Sequence, residues 1–198
     1  MKFKVDREKF RKVLSVVKLA QGTGSVTNNE WVKGIKIEIE NKDSIRFTAT
    51  DTNSIISAVL DNVIIENEGN GSILLNGEII DKITSMQSDS ELLVEVQDNV
   101  AKLYCGKDKS EFELMRVDDF IGIDLSITNE WFSLPVKSFL MADSDVSFAA
   151  CKDSGTRPKM QGIYFITENN SMDIVACDGR KLSKLVLKSD SIIRFNRD

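Results

Sequence analysis

The feature that most constrains this chain is a long internal repeat. Gly34-Ile35-Lys36-Ile37-Glu38-Ile39-Glu40-Asn41 resembles Gly162-Ile163-Tyr164-Phe165-Ile166-Thr167-Glu168-Asn169, 128 residues later. Ser44-Ile45-Arg46-Phe47-Thr48-Ala49-Thr50-Asp51 resembles Met172-Asp173-Ile174-Val175-Ala176-Cys177-Asp178, whose final aspartate stands 127 residues after Asp51. Phe3 and Phe10 return as Phe132 and Phe139, both 129 residues on. One match between alternating apolar segments is weak, but agreement at nearly one offset points to a repeated structural unit. The second copy starts near Asn129. Ser191-Ile192-Ile193 lines up with Ser72-Ile73-Leu74, so the second copy is expected to stop where the first begins its second half.

Within the first copy the periodicities alternate. Lys2 to Val5 reads as a strand, and Asp6 is placed to cap a helix from Arg7 to Lys18. At 100° per residue, Phe10, Val13, Leu14 and Val17 share one side of that helix, with Arg7, Arg11 and Lys18 on a neighbouring stripe. Period-two alternation marks strands at 34–40 and 44–50, with further strand signal from Ile55 to Ile65. Ser72 to Leu75 is a strand leading into Asn76, a second capping residue, and a helix through Ile83. Strands at 92–96, 101–104 and 111–114 complete the unit. The expectation is an α+β fold, helices packed on antiparallel sheets, with an internal pseudo-two-fold pattern.

Composition narrows the function. The 198 residues contain no histidine, which removes the Ser-His-Asp and Cys-His arrangements and the commonest metal ligand. Neither an enzyme's site nor a cofactor or metal site is expected. Cys177-Asp178 is the one pair that hints at chemistry, and no base accompanies the thiol, so a structural cysteine is expected. Cys105, Cys151 and Cys177 form no CxxC and read as reduced thiols of a cytoplasmic protein. No apolar run approaches a signal peptide or a membrane span. The net charge of −5 argues against tight electrostatic gripping of nucleic acid but leaves room for a local basic face.

At this point the residues resemble a known family, the bacterial DNA polymerase III β-subunit, the ring-shaped sliding clamp. The resemblance runs through Met1-Lys2-Phe3-Lys4-Val5, Thr48-Ala49-Thr50-Asp51, the segment 72–83 and Asp118-Asp119-Phe120. It is sharpest at Thr156-Arg157-Pro158-Lys159-Met160-Gln161-Gly162-Ile163 and Ala176-Cys177-Asp178-Gly179-Arg180-Lys181-Leu182. The family writes these as T-R-P-x-L-x-G-V and A-T-D-G-H-R-L. The resemblance implies the DNA-clamp fold, with residues 1–127 as a first clamp domain and 128–198 as the first half of a second. The other half and a third domain would be absent. It further implies a homodimeric ring, in the full-length form, around duplex DNA, tethering the polymerase catalytic subunit, clamp loader and other clamp-motif proteins. The alternative is a naturally short clamp-derived protein that binds clamp partners without encircling DNA.

Site residues follow from the same resemblance. Arg157, Met160, Cys177, Gly179, Arg180, Lys181 and Leu182 correspond to part of the pocket for the client peptide motif. Met160, Leu182 and the Gly179 backbone fit a concave apolar surface, and Arg157 suits a peptide carboxylate or carbonyl. A surface arginine beside a strand-ending turn would look the same. Arg7, Arg11 and Lys18 correspond to a channel-lining helix facing DNA, although a solvated helix face would carry them too. Lys109, Phe112 and Leu114 correspond to the edge strand of the ring interface; an ordinary edge strand with apolar residues turned to its own core is the other reading. The chain departs from the family at Cys177, Arg180 and Glu111, and at Ser25-Val26-Thr27-Asn28-Asn29 in place of an arginine-bearing loop. Asp143 and Asp145 likewise sit where a basic stripe would be expected.

Overall fold

The structure is a computed structural model and describes residues 1–22, 30–67, 71–122, 131–152, 157–168, 171–188 and 194–196. The chain divides into two compact units, residues 1–124 and 125–198.

Unit 1 opens with strand β1 (Lys2–Asp6) and helix α1 (Arg7–Val17). The Asp6 carboxylate accepts the Lys9 N–H at 2.8 Å, the expected N-cap. Phe10, Leu14 and Val17 are buried, as the periodicity requires, while Lys18 already belongs to a short 3-10 turn, Lys18–Ala20. Strands β2 (Gly34–Asn41), β3 (Ser44–Thr50) and β4 (Ile55–Asp61) form an antiparallel meander, with β5 (Ile64–Asn67) behind it. The run from Ile55 to Ile65 is thus two strands in different sheets, divided by Asn62, whose φ of 62° turns the chain.

The second half repeats this plan. Strand β6 (Ser72–Asn76) leads into helix α2 (Gly77–Met86), capped by the Asn76 side chain, which accepts the N–H groups of Glu78 and Ile79. Strands β7 (Glu91–Gln97), β8 (Val100–Cys105) and β9 (Asp108–Glu113) follow. The strands form two antiparallel sheets, ordered β5-β1-β7-β8-β9 and β4-β3-β2-β6. Alternate residues of β1, β2, β3, β7 and β8 point into one shared core with both helices, led by Phe3, Phe10, Leu14, Ile37, Phe47, Ile80, Leu92 and Leu103. The Phe10 and Phe47 rings meet edge to face, centroids 5.2 Å apart.

Unit 2 contains strand β10 (Trp131–Ser133), helix α3 (Val136–Val146), strands β11 (Tyr164–Glu168), β12 (Ser171–Cys177) and β13 (Leu182–Lys188), and β14 (Arg194–Asn196). β11, β12 and β13 form a three-stranded antiparallel sheet, and β10 pairs with β14. Its smaller core joins Ala142, Val146 and Ala149 to Met172, Ile174 and Ala176.

Ser191-Ile192-Ile193 lies outside the described residues, but the adjoining β14 pairs with β10 through Phe132 opposite Phe195. That copies β5, whose Ile65 lies opposite Phe3 of β1. β14 is therefore the counterpart of β5.

Candidate functional site

The strongest cluster lies at one end of the unit 2 sheet, where β12 turns into β13. Asp178 builds the turn: its Oδ1 accepts the N–H groups of Arg180 and Lys181, each at 2.9 Å. These bonds favour the charged carboxylate and hold its pKa below the usual aspartate value, first through Lys181 and then Arg180. Lys181 Nζ adds an ion pair at 3.5 Å. Gly179 takes φ of 86°, a left-handed conformation that glycine adopts without steric cost. Its N–H donates to the Cys177 Sγ at 3.2 Å, so the Cys177 sulfur serves as an acceptor within the turn.

Arg157 reaches this turn from a preceding loop, donating from Nη1 to the Asp178 carbonyl at 3.4 Å. A Cβ on Gly179 would lie 2.4 Å from that Nη1 and 3.9 Å from the Met160 Sδ. The missing side chain thus lets the guanidinium and the thioether converge over the backbone. Met160 closes a 3-10 turn, Pro158–Met160, anchored where the Cys151 N–H donates to the Met160 carbonyl at 2.8 Å. Arg157, Met160, Cys177 and Gly179 are brought together. Leu182 faces Cys177 across the ladder and is 64% exposed, and the Arg180 and Lys181 side chains also face solvent. With Leu182 so open, the expected concave surface is a shelf among the described residues; Thr156 lies outside them. Asp178, in the segment that the resemblance assigned to the pocket, is also the strand-ending turn that Asp-Gly directly after a strand signals.

The α1 cations are placed differently from expectation. Arg7 donates from Nε to the Asp89 carbonyl at 2.7 Å and from Nη1 to the Thr84 carbonyl at 3.1 Å, and pairs with Glu8. Its side chain is only 12% exposed, so it ties α1 to the end of α2 and the following loop. Lys18 pairs with Asp81 of α2. Arg11 is half-buried, with Nε enclosed and unpartnered. The cations α1 displays to solvent are Lys9 and Lys12, which with Glu8, Arg11 and Ser15 line a shallow depression.

On β9, the edge strand of its sheet, Lys109 points outward, paired with Glu111 at 2.6 Å and lying over the Tyr104 ring. The Glu111 carboxylate holds the Lys109 pKa above its usual value. Phe112 and Leu114 turn the other way and pack, partly buried, on the unit 1 core. Leu114 stands just past the strand's end, its N–H donating to the Asn99 carbonyl. Lys109 therefore lies on the outward side of this edge, and the two apolar residues lie on the side that meets the core of their own unit.

With this geometry in hand, the comparisons with known proteins agree. The family described as DNA polymerase III beta subunit, N-terminal domain, matches residues 1–124. The chain belongs to that family. A beta sliding clamp from Mycoplasmopsis pulmonis (strain UAB CTIP) is 21% identical over 99% of the chain and 52% of the relative. The solved beta subunit of Streptococcus pyogenes DNA polymerase superposes with a TM-score of 0.86 at 22% identity, covering 99% of this chain and 52% of that one. The Bacillus subtilis DNA polymerase sliding clamp gives 0.83 at 19% identity over the same shares. The fold is thus the α+β sliding-clamp fold, and the chain spans about half the length of these clamp relatives. Among the described residues, no helix is long and apolar enough to cross a membrane.

Proposed function

We propose that this chain does the work of a DNA sliding clamp, a non-enzymatic processivity factor of the cytoplasm. In this reading residues 1–127 are its first clamp domain and 128–198 the first half of a second. Its domains contribute to a homodimeric ring that surrounds duplex DNA without reading sequence. The ring tethers the replicative polymerase's catalytic subunit, the clamp loader and repair proteins that carry the clamp motif. The observation that carries this reading is the clamp-domain match over residues 1–124. A net charge of −5 is compatible with it, because an encircling protein needs only mild attraction to phosphates. Lys9 and Lys12, with Arg11 behind them, are the α1 residues best placed to supply that attraction.

The client peptide would lie on the shelf of Arg157, Met160, Gly179 and Leu182, apolar side chains against Met160 and Leu182 and a carbonyl or carboxylate at Arg157. Fluorescence anisotropy with a labelled clamp-motif peptide tests this. Arg157→Ala and Leu182→Ala should each weaken binding severalfold. Unchanged affinity in both variants would refute the assignment.

A second reading, an interaction protein that binds clamp partners without encircling DNA, draws support from one observation. Arg7 and Lys18 are committed to partners inside unit 1, which thins the basic face available to DNA. Salt-dependent binding to duplex DNA that Lys9→Glu with Lys12→Glu abolishes would favour the ring reading over this one.

A further inference from the structure

The outer face of the five-stranded sheet in unit 1 carries charge of alternating sign from strand to strand. Lys2 of β1 lies opposite Glu95 of β7, Glu95 opposite Lys102 of β8, and Lys102 opposite Glu111 of β9. Lys2 also pairs with Glu66 of β5 at 3.1 Å. Every strand in this row thus meets a neighbour of opposite charge. The row ends at β9, which no second strand joins among the described residues.

The β9 segment is itself antisymmetric in charge. Lys107-Asp108-Lys109-Ser110-Glu111-Phe112-Glu113 sets lysines before Ser110 and glutamates after it, at every second position. Lys107, Lys109, Glu111 and Glu113 are all exposed, while Phe112 turns to the core. The backbone follows the same alternation. Leu114 donates its N–H to the Asn99 carbonyl, and the ladder continues from there, so the even-numbered residues of β9 bond β8. Lys109, Glu111 and Glu113 therefore turn their own N–H and C=O groups to the open edge. The pattern belongs to residues 107–113 themselves, inside unit 1.

We propose that two copies of this chain pair β9 against β9, antiparallel, about a two-fold axis at Ser110. Lys109 of each copy then lies opposite Glu111 of the other, and Lys107 opposite Glu113, which carries the alternation of the row across the axis. Lys109 and Glu111 already pair at 2.6 Å within each strand, so the four central charges close into a ring of alternating sign. The same two residues exchange backbone hydrogen bonds across the axis, from the groups that face the open edge. The contact is isologous and satisfies both edges at once. A shift of the axis by one residue sets Lys109 on Lys109 or Glu111 on Glu111, so charge selects this register. Charges on an edge strand usually deter pairing, but that defence fails where the charges complement their own reversal. One contact is poor: Asp108 meets the second copy's Phe112. In a clamp ring the same edge would meet a different surface, so the β9 pair and ring closure through β9 exclude each other.

Sedimentation velocity of the 198-residue chain over a wide concentration range tests the proposal. The expected result is a reversible shift from 22.2 kDa to twice that mass. Lys109→Glu and Glu111→Lys change exposed side chains, and each places like charges at both central contacts. Each should weaken the dimer roughly tenfold. An equimolar mixture of the two variants restores opposite charges at both contacts, so it should associate about as well as the wild type. A contact of β9 with any other surface gives no such rescue. A wild-type chain that stays monomeric throughout overturns the proposal, as does a dimer that neither variant weakens. A mixture that associates no better than the single variants overturns it equally.

Discussion

Phe10 and Phe139 occupy equivalent places in the two units, yet one is fully buried and the other is 46% exposed. Replacing each by alanine should therefore have very different costs. Phe10 sits in the unit 1 core with its ring edge-on to Phe47. Its loss removes a fully buried aromatic and leaves a cavity, worth about 3–5 kcal/mol. Phe139 keeps nearly half its surface in water and meets mainly the Phe165 ring. Scaling roughly 2–3 kcal/mol for complete burial of such a side chain to the buried half leaves about 1 kcal/mol, with little cavity term. The two units can be followed separately, because the two tryptophans are Trp31 in unit 1 and Trp131 in unit 2. Trp131→Phe isolates the first signal and Trp31→Phe the second. Urea unfolding by fluorescence, at the lowest usable protein concentration, should show Phe10→Ala lowering the Trp31 midpoint strongly and Phe139→Ala lowering the Trp131 midpoint modestly. Equal losses in the two units would mean that Phe139 is as well covered as Phe10, and the account of an open α3–β11 face would fail.

Two further expectations concern the shelf. Gly179→Ala places a methyl 2.4 Å from Arg157 Nη1 on a backbone at φ of 86°. It should cost about 1–2 kcal/mol in unit 2 and displace the guanidinium, weakening peptide binding more than Leu182→Ala does; calorimetric titration with the peptide would reveal the opposite order. The depressed Asp178 pKa means that its turn bonds contribute stability above the unfolded-state value and lose it as pH falls through the folded-state value. The amide resonances of Arg180 and Lys181 should accordingly hold steady down to about pH 4 and move only below it. A midpoint above the ordinary aspartate value would contradict the hydrogen-bonding account.

The sequence by itself determined the local elements and the repeat. Asp6 and Asn76 announce their helices because a short polar side chain before a helix can satisfy its open N–H groups. The apolar pattern of β2 and β3 announces two strands, and the shared offset announces the second unit. These patterns are legible because neighbours in sequence decide them. The partners of the basic stripe were not legible: Arg7 bonds a carbonyl 77 residues away and Lys18 a carboxylate 63 residues away. Nor was it legible that the short C-terminal strand β14 takes the place of β5. A helix stripe or strand face looks the same in sequence whatever lies against it. What lies against it is settled only when distant segments pack, which is why Phe10 and Phe139 share a pattern while one is buried and the other open.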